Sequence, residues 1–165
     1  MVSGEGNLMS EDVLNELLVD TFNDILAIQQ RALQSRGLKD LSISEVHTIE
    51  KIGKYSRRTM SEVANELGIT IGTLSTAINH LVKKGYVERV RSEEDRRIVY
   101  IKLTQKGMKA NRIHEIFHNE MIEEAISELE EGEKEALIKS MGKLNAFFKN
   151  QQKLINQENA DGSDN

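Results

Sequence analysis

Residues 59–85, TMSEVANELGITIGTLSTAINHLVKKG, carry the clearest indication of the fold. This stretch opens with a capping box, in which a threonine hydroxyl and a glutamate carboxylate satisfy free backbone amides at a helix start. Gly68 can take the left-handed conformation that ends this short helix. Only Ile69 separates it from Thr70, which can cap a second helix that Gly85 ends. Two helices joined by so tight a turn cross at a steep angle, so we predict a helix-turn-helix.

The chain after Gly85 changes from helical periodicity to the alternation of a strand. Residues 87–91 and 97–103 are rich in β-branched side chains, and the charged residues 92–96 lie between them. This pattern predicts a β-hairpin with a polar tip, which would form a wing beside the helix-turn-helix.

Helices are expected on both sides of this region. A second capping box at Ser42 predicts a helix from Ile43 to Gly53, apolar residues at three-four spacing predict longer outer helices, and proline is absent. The predicted fold class is mainly α with a small β-wing, a winged helix-turn-helix DNA-binding domain plus a helical dimerisation domain formed by the N- and C-terminal helices. The expected segments are a disordered N-terminus at 1–10, an N-terminal dimerisation helix at 11–41, the winged helix-turn-helix at 42–103, C-terminal dimerisation helices at 104–156 and a disordered tail at 157–165.

Charge is segregated along the chain. The net charge of the 165 residues is −5, yet residues 51–110 hold thirteen Lys and Arg against six Asp and Glu, net +7, which leaves the rest at −12. Such asymmetry indicates a polyanionic partner for the middle third alone. The plainer alternative is a solvated helical surface with uneven charge.

The second helix of the helix-turn-helix has an outward face of small or polar residues, which suits close approach to base edges in the major groove. Asn79 is expected to pair with adenine, and an arginine at the hairpin tip to enter the minor groove, with Asp95 orienting the guanidinium of Arg97. Other basic residues are expected to contact phosphates. An ordinary solvent-facing helix is the alternative. The predicted DNA-binding residues are Arg57, Arg58, Thr70, Gly72, Thr73, Ser75, Thr76, Asn79, His80, Lys83, Arg89, Arg91, Asp95, Arg96 and Arg97.

The wing carries a specific motif. Asp95-x-Arg97, five residues, and Leu103-Thr104-x-x-Gly107 resemble the wing of the MarR family of winged helix-turn-helix regulators. The resemblance spans roughly residues 14–148 and implies that Arg97 is the minor-groove arginine and Asp95 its orienter.

A closer likeness is to FabT-type repressors of fatty-acid synthesis genes, and it rests on four segments. These are HTIEKIG at 47–53, TIGTL at 70–74, RSEEDRR at 91–97 and Phe117-His118. The likeness implies that long-chain acyl-acyl-carrier-protein is the corepressor. Metal-responsive (zinc) or small-molecule-responsive MarR-type repression is the alternative.

A homodimer is expected, because one winged module reads too few bases and a two-fold dimer reads a palindromic operator of double-stranded DNA. The terminal helices offer apolar stripes for this contact, although pairing within one chain is the alternative. The predicted dimerisation residues are Leu14, Leu17, Leu18, Leu137, Met141, Leu144 and Phe148.

Three histidines form a possible zinc site. His114 and His118 are spaced to lie on one helix face, and His47 lies on a helix that packs near them in the resembled family. No cofactor is required by this interpretation, and hydrogen-bonded interface histidines are the alternative to zinc. Residues 114–118 also spell H-E-x-x-H, the zinc peptidase motif, with Glu115 as its general base, but five residues with three fixed are a weak signal and we expect no enzyme.

Composition limits the remaining classes. Cysteine is absent, which excludes disulfides and thiolate metal sites, and no apolar run approaches the roughly 20 residues that span a bilayer. We therefore expect a cytoplasmic protein with no membrane partner. A protein-interaction module that binds an acidic partner is a further alternative function.

Overall fold

The computed structural model describes residues 5–53 and 57–161, with side chains described at 11–53, 57–151 and 154–155. The elements in chain order are α1 (Glu5–Ser35), α2 (Ile43–Gly53), β1 (Arg58–Thr59), α3 (Met60–Leu67), α4 (Ile71–Lys83), β2 (Val87–Arg91), β3 (Val99–Leu103), α5 (Gln105–Ala125) and α6 (Glu131–Asp161). The predicted mainly helical fold with a small β-wing is confirmed. The chain divides into two compact units, one up to Phe117 and one from His118, so the boundary falls within α5.

The helix starts follow the local chemistry of the sequence. At α3, the Thr59 hydroxyl accepts a hydrogen bond from the amide of Glu62, whose carboxylate accepts one from the amide of Thr59. At α2, Glu45 and Ser42 make the same reciprocal pair. Gly68 ends α3 with a φ of 68°. Both predicted capping boxes and the left-handed helix end are confirmed.

The wing is part of a three-stranded antiparallel sheet in the order β1-β3-β2. Strands β2 and β3 pair from Val87 opposite Leu103 to Arg91 opposite Val99, which confirms the predicted hairpin. Strand β1 was not predicted, because two residues are too short to show strand alternation. Strand β3 begins at Val99 rather than at residue 97, because the amide of Ile98 turns back to the carbonyl of Asp95 at 2.9 Å.

The core of the first unit lies under α4. Leu74, Ile78 and Leu81 are completely buried on the inner face of this helix. Each large apolar side chain contributes about 1.5–3 kcal/mol when buried. They belong to one cluster with buried residues of α2, α3 and the sheet, among them Ile49, Ile52, Val63, Tyr86 and Ile101.

Helix α5 begins tightly against the start of β2. The Thr104 hydroxyl donates to the carbonyl oxygen of Gly85 at 2.7 Å and accepts from the amide of Gly107 at 3.1 Å. A Cβ added at Gly107 would lie 2.1 Å from the carbonyl oxygen of Tyr86, so only glycine fits there. The threonine and the glycine of the L-T-x-x-G pattern therefore fasten the base of the wing to α5.

The chain termini correct one prediction. Residues 5–10 and 157–161 were expected to be disordered, yet they extend α1 and α6. Adding residues to an existing helix is far easier than starting one, and no proline interrupts either end. Residues 1–4 and 162–165 lie outside the described residues. Within the described part of the chain, none of the helices has the length and apolar character needed to cross a bilayer.

Candidate nucleic-acid interface

Helix α4 separates its buried and exposed residues cleanly. Its start is fixed by Thr70, whose hydroxyl accepts from the amide of Thr73 at 3.1 Å. With Leu74, Ile78 and Leu81 turned inward, the opposite face reaches solvent. Ser75 on this face is half-buried, and the exposed members are Gly72, Thr73, Thr76, Asn79, His80 and Lys83. The structure thus brings the predicted reading residues together on one surface.

An open groove of about 630 Å³ runs along one side of α4. The start of α2 forms its other wall through Ser42 and Ser44, and Thr76 and His80 line it from α4. The groove is wide open to solvent, so the polar start of α2 and the outer face of α4 belong to one continuous surface.

The wing tip is held by its own side chains. Ser92 is buried, and its hydroxyl accepts from the amides of Glu94 and Asp95, both at 3.3 Å. The Asp95 carboxylate accepts from the backbone amide of Arg97 at 2.9 Å. Asp95 was expected to bind the Arg97 guanidinium, and the contact instead fixes the backbone of the tip. Short-range geometry explains the difference, since an aspartate easily reaches the amide two residues on.

The wing arginines are exposed. Arg91, Arg96 and Arg97 have solvent-facing side chains around the tip. Arg89 lies nearer the base of β2, where its guanidinium donates to the Asn79 side-chain oxygen at 2.8 Å. This contact joins the wing to α4 and was not foreseen from the sequence.

The two arginines before α3 differ in their surroundings. Arg57 is exposed and its guanidinium lies 4.7 Å from the centre of the Tyr100 ring. Arg58 donates to the carbonyl oxygen of Lys51 at 3.1 Å and forms an ion pair with Glu66 on α3, with only 11% of its side chain exposed. This arrangement favours a structural role for Arg58, and its phosphate contact stays a prediction.

A polar cluster that sequence reasoning missed locks the α1–α2 turn to the ends of α4 and the wing. The Tyr86 hydroxyl donates to Asp40 at 2.7 Å, and the Lys84 ammonium donates to Glu45 at 2.7 Å and 2.8 Å. Lys106 from α5 lies 3.4 Å from the Asp40 carboxylate and 3.9 Å from the centre of the Tyr86 ring. Its members are far apart in sequence, so no local signal could have found it.

These contacts shift the pKa values of Asp40, Glu45 and Tyr86. Burial raises the pKa of Asp40, but the hydrogen bond from Tyr86 and the charge of Lys106 outweigh it, so the net pKa is lowered. For Glu45, burial also raises the pKa, and the hydrogen bonds from Lys84 and the Ser42 amide lower it overall. Burial and the Asp40 carboxylate raise the pKa of Tyr86 well above its ordinary value. The cluster is therefore an assembly of charged carboxylates with neutral tyrosine at neutral pH.

Two of the predicted zinc ligands, His47 and His114, lie close together in the first unit. His114 is buried on α5, its ring centre is 5.6 Å from that of His47 on α2, and its Nε2 is 3.6 Å from the Glu50 carboxylate. His118 follows one turn later on α5 and is the first residue of the second unit. His47 and His114 are thus brought together as predicted, with a carboxylate beside them.

The predicted dimerisation residues are exposed or half-buried on both terminal helices. On α1, Leu14 and Leu17 are exposed and Leu18 is half-buried. On α6, the exposed members are Leu137, Met141 and Phe148, and Leu144 is half-buried. Each helix therefore presents an apolar face that its own unit does not cover.

Comparison with known proteins identifies the family. A model of the MarR family matches residues 39–98. The regulator BilQ of Clostridium symbiosum is 31% identical over 68% of this chain and 76% of its own length. The chain belongs to the MarR family. It is a DNA-binding transcriptional regulator rather than an enzyme, so residues 114–118 are part of a regulator's helix α5 and not a peptidase centre.

Further proteins are similar over most of the chain. The regulator YfiV of Bacillus subtilis is 27% identical over 90% of this chain and 99% of its own. The FabT chain in the crystal structure of Streptococcus pneumoniae FabT in complex with DNA has 42% sequence identity to this chain. The match covers 86% of this chain and 99% of that chain, with a TM-score of 0.82. The structure of the regulator SlyA, 16% identical with a TM-score of 0.71, shares the fold.

Proposed function

We propose that this MarR-family chain is a homodimeric repressor that acts in the cytoplasm on a palindromic operator, with α4 in the major groove and Arg97 of the wing in the minor groove. We further propose that its targets are fatty-acid synthesis genes and that long-chain acyl-acyl-carrier-protein is the corepressor. The observation that carries the proposal is the exposed face of α4, made of small and polar residues, beside an arginine-bearing wing.

Gly72 on that face supports close approach of DNA. Glycine inside a helix costs roughly 0.5–1 kcal/mol relative to alanine. A Cβ added at Gly72 would meet the Thr70 hydroxyl at 3.7 Å, an ordinary contact, so the packing of the described chain does not require glycine there. A partner that comes close to the backbone is a sufficient reason for it, and a major groove is such a partner.

The wing supports a minor-groove contact through its built tip. The hydrogen bonds that the side chains of Ser92 and Asp95 accept from backbone amides hold the backbone beside Arg97. This backbone places the long Arg97 side chain at the end of a short ribbon. A fixed ribbon that carries an exposed arginine is suited to the negative potential of a narrow minor groove.

Arg97→Ala tests the DNA assignment. Binding to a duplex selected from genomic fragments is expected to weaken by about 1–3 kcal/mol, and the wild-type affinity should fall with salt at a slope near roughly −0.9 per phosphate neutralised. Arg112→Ala is the matched control, because it removes an exposed arginine on α5, away from α4 and the wing. Equal behaviour of the two variants would contradict the wing assignment.

The similarity to the DNA-bound FabT of S. pneumoniae supports the choice of pathway and effector. We expect acyl-carrier-protein loaded with a long acyl chain to tighten operator binding, and the unloaded protein to leave it unchanged. The genes beside the selected fragments should encode fatty-acid synthesis enzymes. Equal effects of loaded and unloaded carrier protein would refute the effector, and unrelated target genes would refute the pathway.

Dimerisation is supported by the open apolar faces of α1 and α6. Monomeric proteins seldom leave apolar stripes of this length to solvent, whereas a two-fold dimer covers the same patch on each copy. Sedimentation of the purified chain should give twice the mass of 18.7 kDa.

Zinc-responsive repression is a second candidate, favoured by the His47–His114 pair. Two imidazoles whose ring centres are 5.6 Å apart can share a cation, and Glu50 beside them is a possible further ligand. Each protein is loaded with zinc and then dialysed against metal-free buffer. The wild type should retain the metal, His114→Ala should lose it, and the control His80→Ala on α4 should keep it. Absence of retained zinc in the wild type would end this candidate.

A further inference from the structure

Four exposed cations lie where the α1–α2 turn meets the start of α5. This basic patch consists of Arg36, Lys39, Lys106 and Lys109. At one end, the Lys106 ammonium lies 3.4 Å from the carboxylate of Asp40, the residue that follows Lys39. At the other end, the Arg36 guanidinium lies 5.8 Å from the centre of the Phe117 ring on α5. The turn therefore runs along α5, and both elements contribute cations to one surface of the first unit.

The charge of this surface is opposite to that of the whole chain. Residues 36–41 and 105–112 hold five Lys and Arg and one Asp, a net charge of +4 in a protein of net charge −5. The single acid, Asp40, is already bound by the Tyr86 hydroxyl at 2.7 Å and paired with Lys106. A surface with such an excess of one sign attracts a partner of the opposite sign.

The position of the basic patch favours a partner other than DNA. In the proposed complex, DNA contacts the outer face of α4 and the wing, whereas the patch lies on α5 and the α1–α2 turn. The carboxylate of Glu45 lies where α2 meets the end of α4, and negative charge at this edge disfavours a phosphate backbone that continues from α4 onto the patch. The patch is therefore open to a second anionic partner while DNA is bound.

We propose that the basic patch is the docking surface for an acidic protein, the acyl-carrier-protein of the proposed function. The inference rests on the proposed function for the identity of this partner. Complementary charge steers two proteins together and raises their rate of association. The patch binds the protein part of the loaded carrier, and the acyl chain contributes the rest of the affinity. Unloaded carrier thus binds too weakly to change operator affinity.

Lys106 connects the basic patch to the DNA-binding helix. Its ammonium donates to the carbonyl oxygen of Lys84 at 2.9 Å, and Lys84 directly follows the last residue of α4. The same ammonium lies 3.9 Å from the centre of the Tyr86 ring, just before β2. A carrier protein docked on the patch is therefore beside the residues that hold the end of α4 and the base of the wing, as a corepressor requires.

Charge reversal tests the proposal in the full chain. The variants are Lys39→Glu, Lys109→Glu and the double variant, which leave the polar cluster and the predicted DNA contacts intact. Lys109→Arg keeps the charge. Arg112→Glu is the matched control, because it reverses an exposed cation one turn further along α5 whose guanidinium is paired with Glu115 at 3.5 Å. Thermal unfolding checks that all variants are folded.

Fluorescence anisotropy with a labelled operator measures DNA affinity with and without carrier protein loaded with a long acyl chain. Without carrier, the patch variants should bind DNA as Arg112→Glu does, since all share the change in net charge. With carrier, Lys39→Glu and Lys109→Glu should each need about 10-fold more of it for the wild-type effect, because like charges meet across the interface. Lys109→Arg and Arg112→Glu should respond as the wild type does.

Two results would overturn the proposal while the wild type still responds to loaded carrier. One is a double variant that responds as the wild type does. The other is a loss of operator affinity without carrier that exceeds the loss in Arg112→Glu, which would make the patch part of the DNA surface. If loaded carrier leaves the wild type unchanged, the proposed effector itself fails, and the inference fails with it.

Discussion

Helices α4 and α6 use their apolar residues in different ways. The apolar residues Leu74, Ile78 and Leu81 of α4 are completely buried within one unit of a single chain, whereas Met141 and Phe148 of α6 remain 51% and 52% exposed. The DNA-binding module therefore has a complete core of its own, and its outward face is left for a polar ligand. Helix α6 leaves an apolar face exposed, which a partner surface covers in the proposed dimer. Stability should thus depend on protein concentration through α6 and not through α4.

The largest expected effect is on the core of the module. Leu81→Ala removes a fully buried side chain and leaves a cavity, so the free energy of unfolding should fall by about 2–5 kcal/mol. Denaturant unfolding at two protein concentrations measures this loss, which should be the same at both. The control Val82→Ala shortens the exposed neighbour and should have a small effect. A comparable loss of stability in both variants would contradict the placement of Leu81 in the core and Val82 at the surface.

A charge on α6 is expected to act through assembly. Met141→Glu places a carboxylate on the exposed apolar face, so we expect the free energy of association to weaken by about 1–3 kcal/mol, which raises the dimer dissociation constant roughly 5- to 150-fold. Sedimentation over a range of concentrations measures it. The matched control is Ser140→Glu, an exposed neighbour on the same helix. An unchanged dimer in Met141→Glu would show that this face is not the interface.

The wing tip should affect DNA binding with little effect on folding. Asp95→Ala removes the acceptor for the Arg97 amide, and a hydrogen bond of this kind contributes about 0.5–1.5 kcal/mol, so affinity should fall roughly 3- to 10-fold. Glu94→Ala, which removes an adjacent carboxylate, is the control. Fluorescence anisotropy with a labelled operator compares the two. Equal affinity of Asp95→Ala and the wild type would show that the hydrogen bond between Asp95 and the Arg97 amide does not order the tip for DNA binding.

The smallest expected effect concerns pH. The pKa of Asp40 is lowered in the folded chain, so its contribution to stability is present above the ordinary value of 3.8 and is lost as the pH falls through the folded pKa. Asp40→Asn should lower stability at neutral pH by less than about 1 kcal/mol, because the carboxylate is half exposed, and should flatten the decline in acid. Unfolding at several pH values measures both, with Glu123→Gln as the control. A steeper decline in Asp40→Asn than in the wild type would contradict the assignment.

Local chemistry made much of the fold predictable. The capping boxes at Ser42 and Thr59 and the left-handed Gly68 involve residues within a few positions of one another, and all are confirmed. The exposed face of α4 also followed from helical periodicity. The sequence placed the strong candidates for DNA contact on one surface because they lie on two consecutive elements.

Long-range contacts could not be read in the same way. The Asp40–Tyr86 hydrogen bond joins residues 46 positions apart, and the Arg58–Glu66 ion pair depends on how β1 meets α3. Asp95 was assigned correctly to the wing tip, but which part of Arg97 it holds is a matter of backbone geometry. The Arg89–Asn79 contact was missed for the same reason, since it joins a strand to a helix.

The way in which the wing is attached determines how its preference for operator sequences can change. Its base is secured by Thr104 and by the glycine at 107, whereas the tip residues 93–97 hold one another through Ser92 and Asp95. Exchanging the tip with that of a related protein should therefore alter groove contacts and leave the folded scaffold intact. A chain built this way can acquire new target sites by replacing five residues.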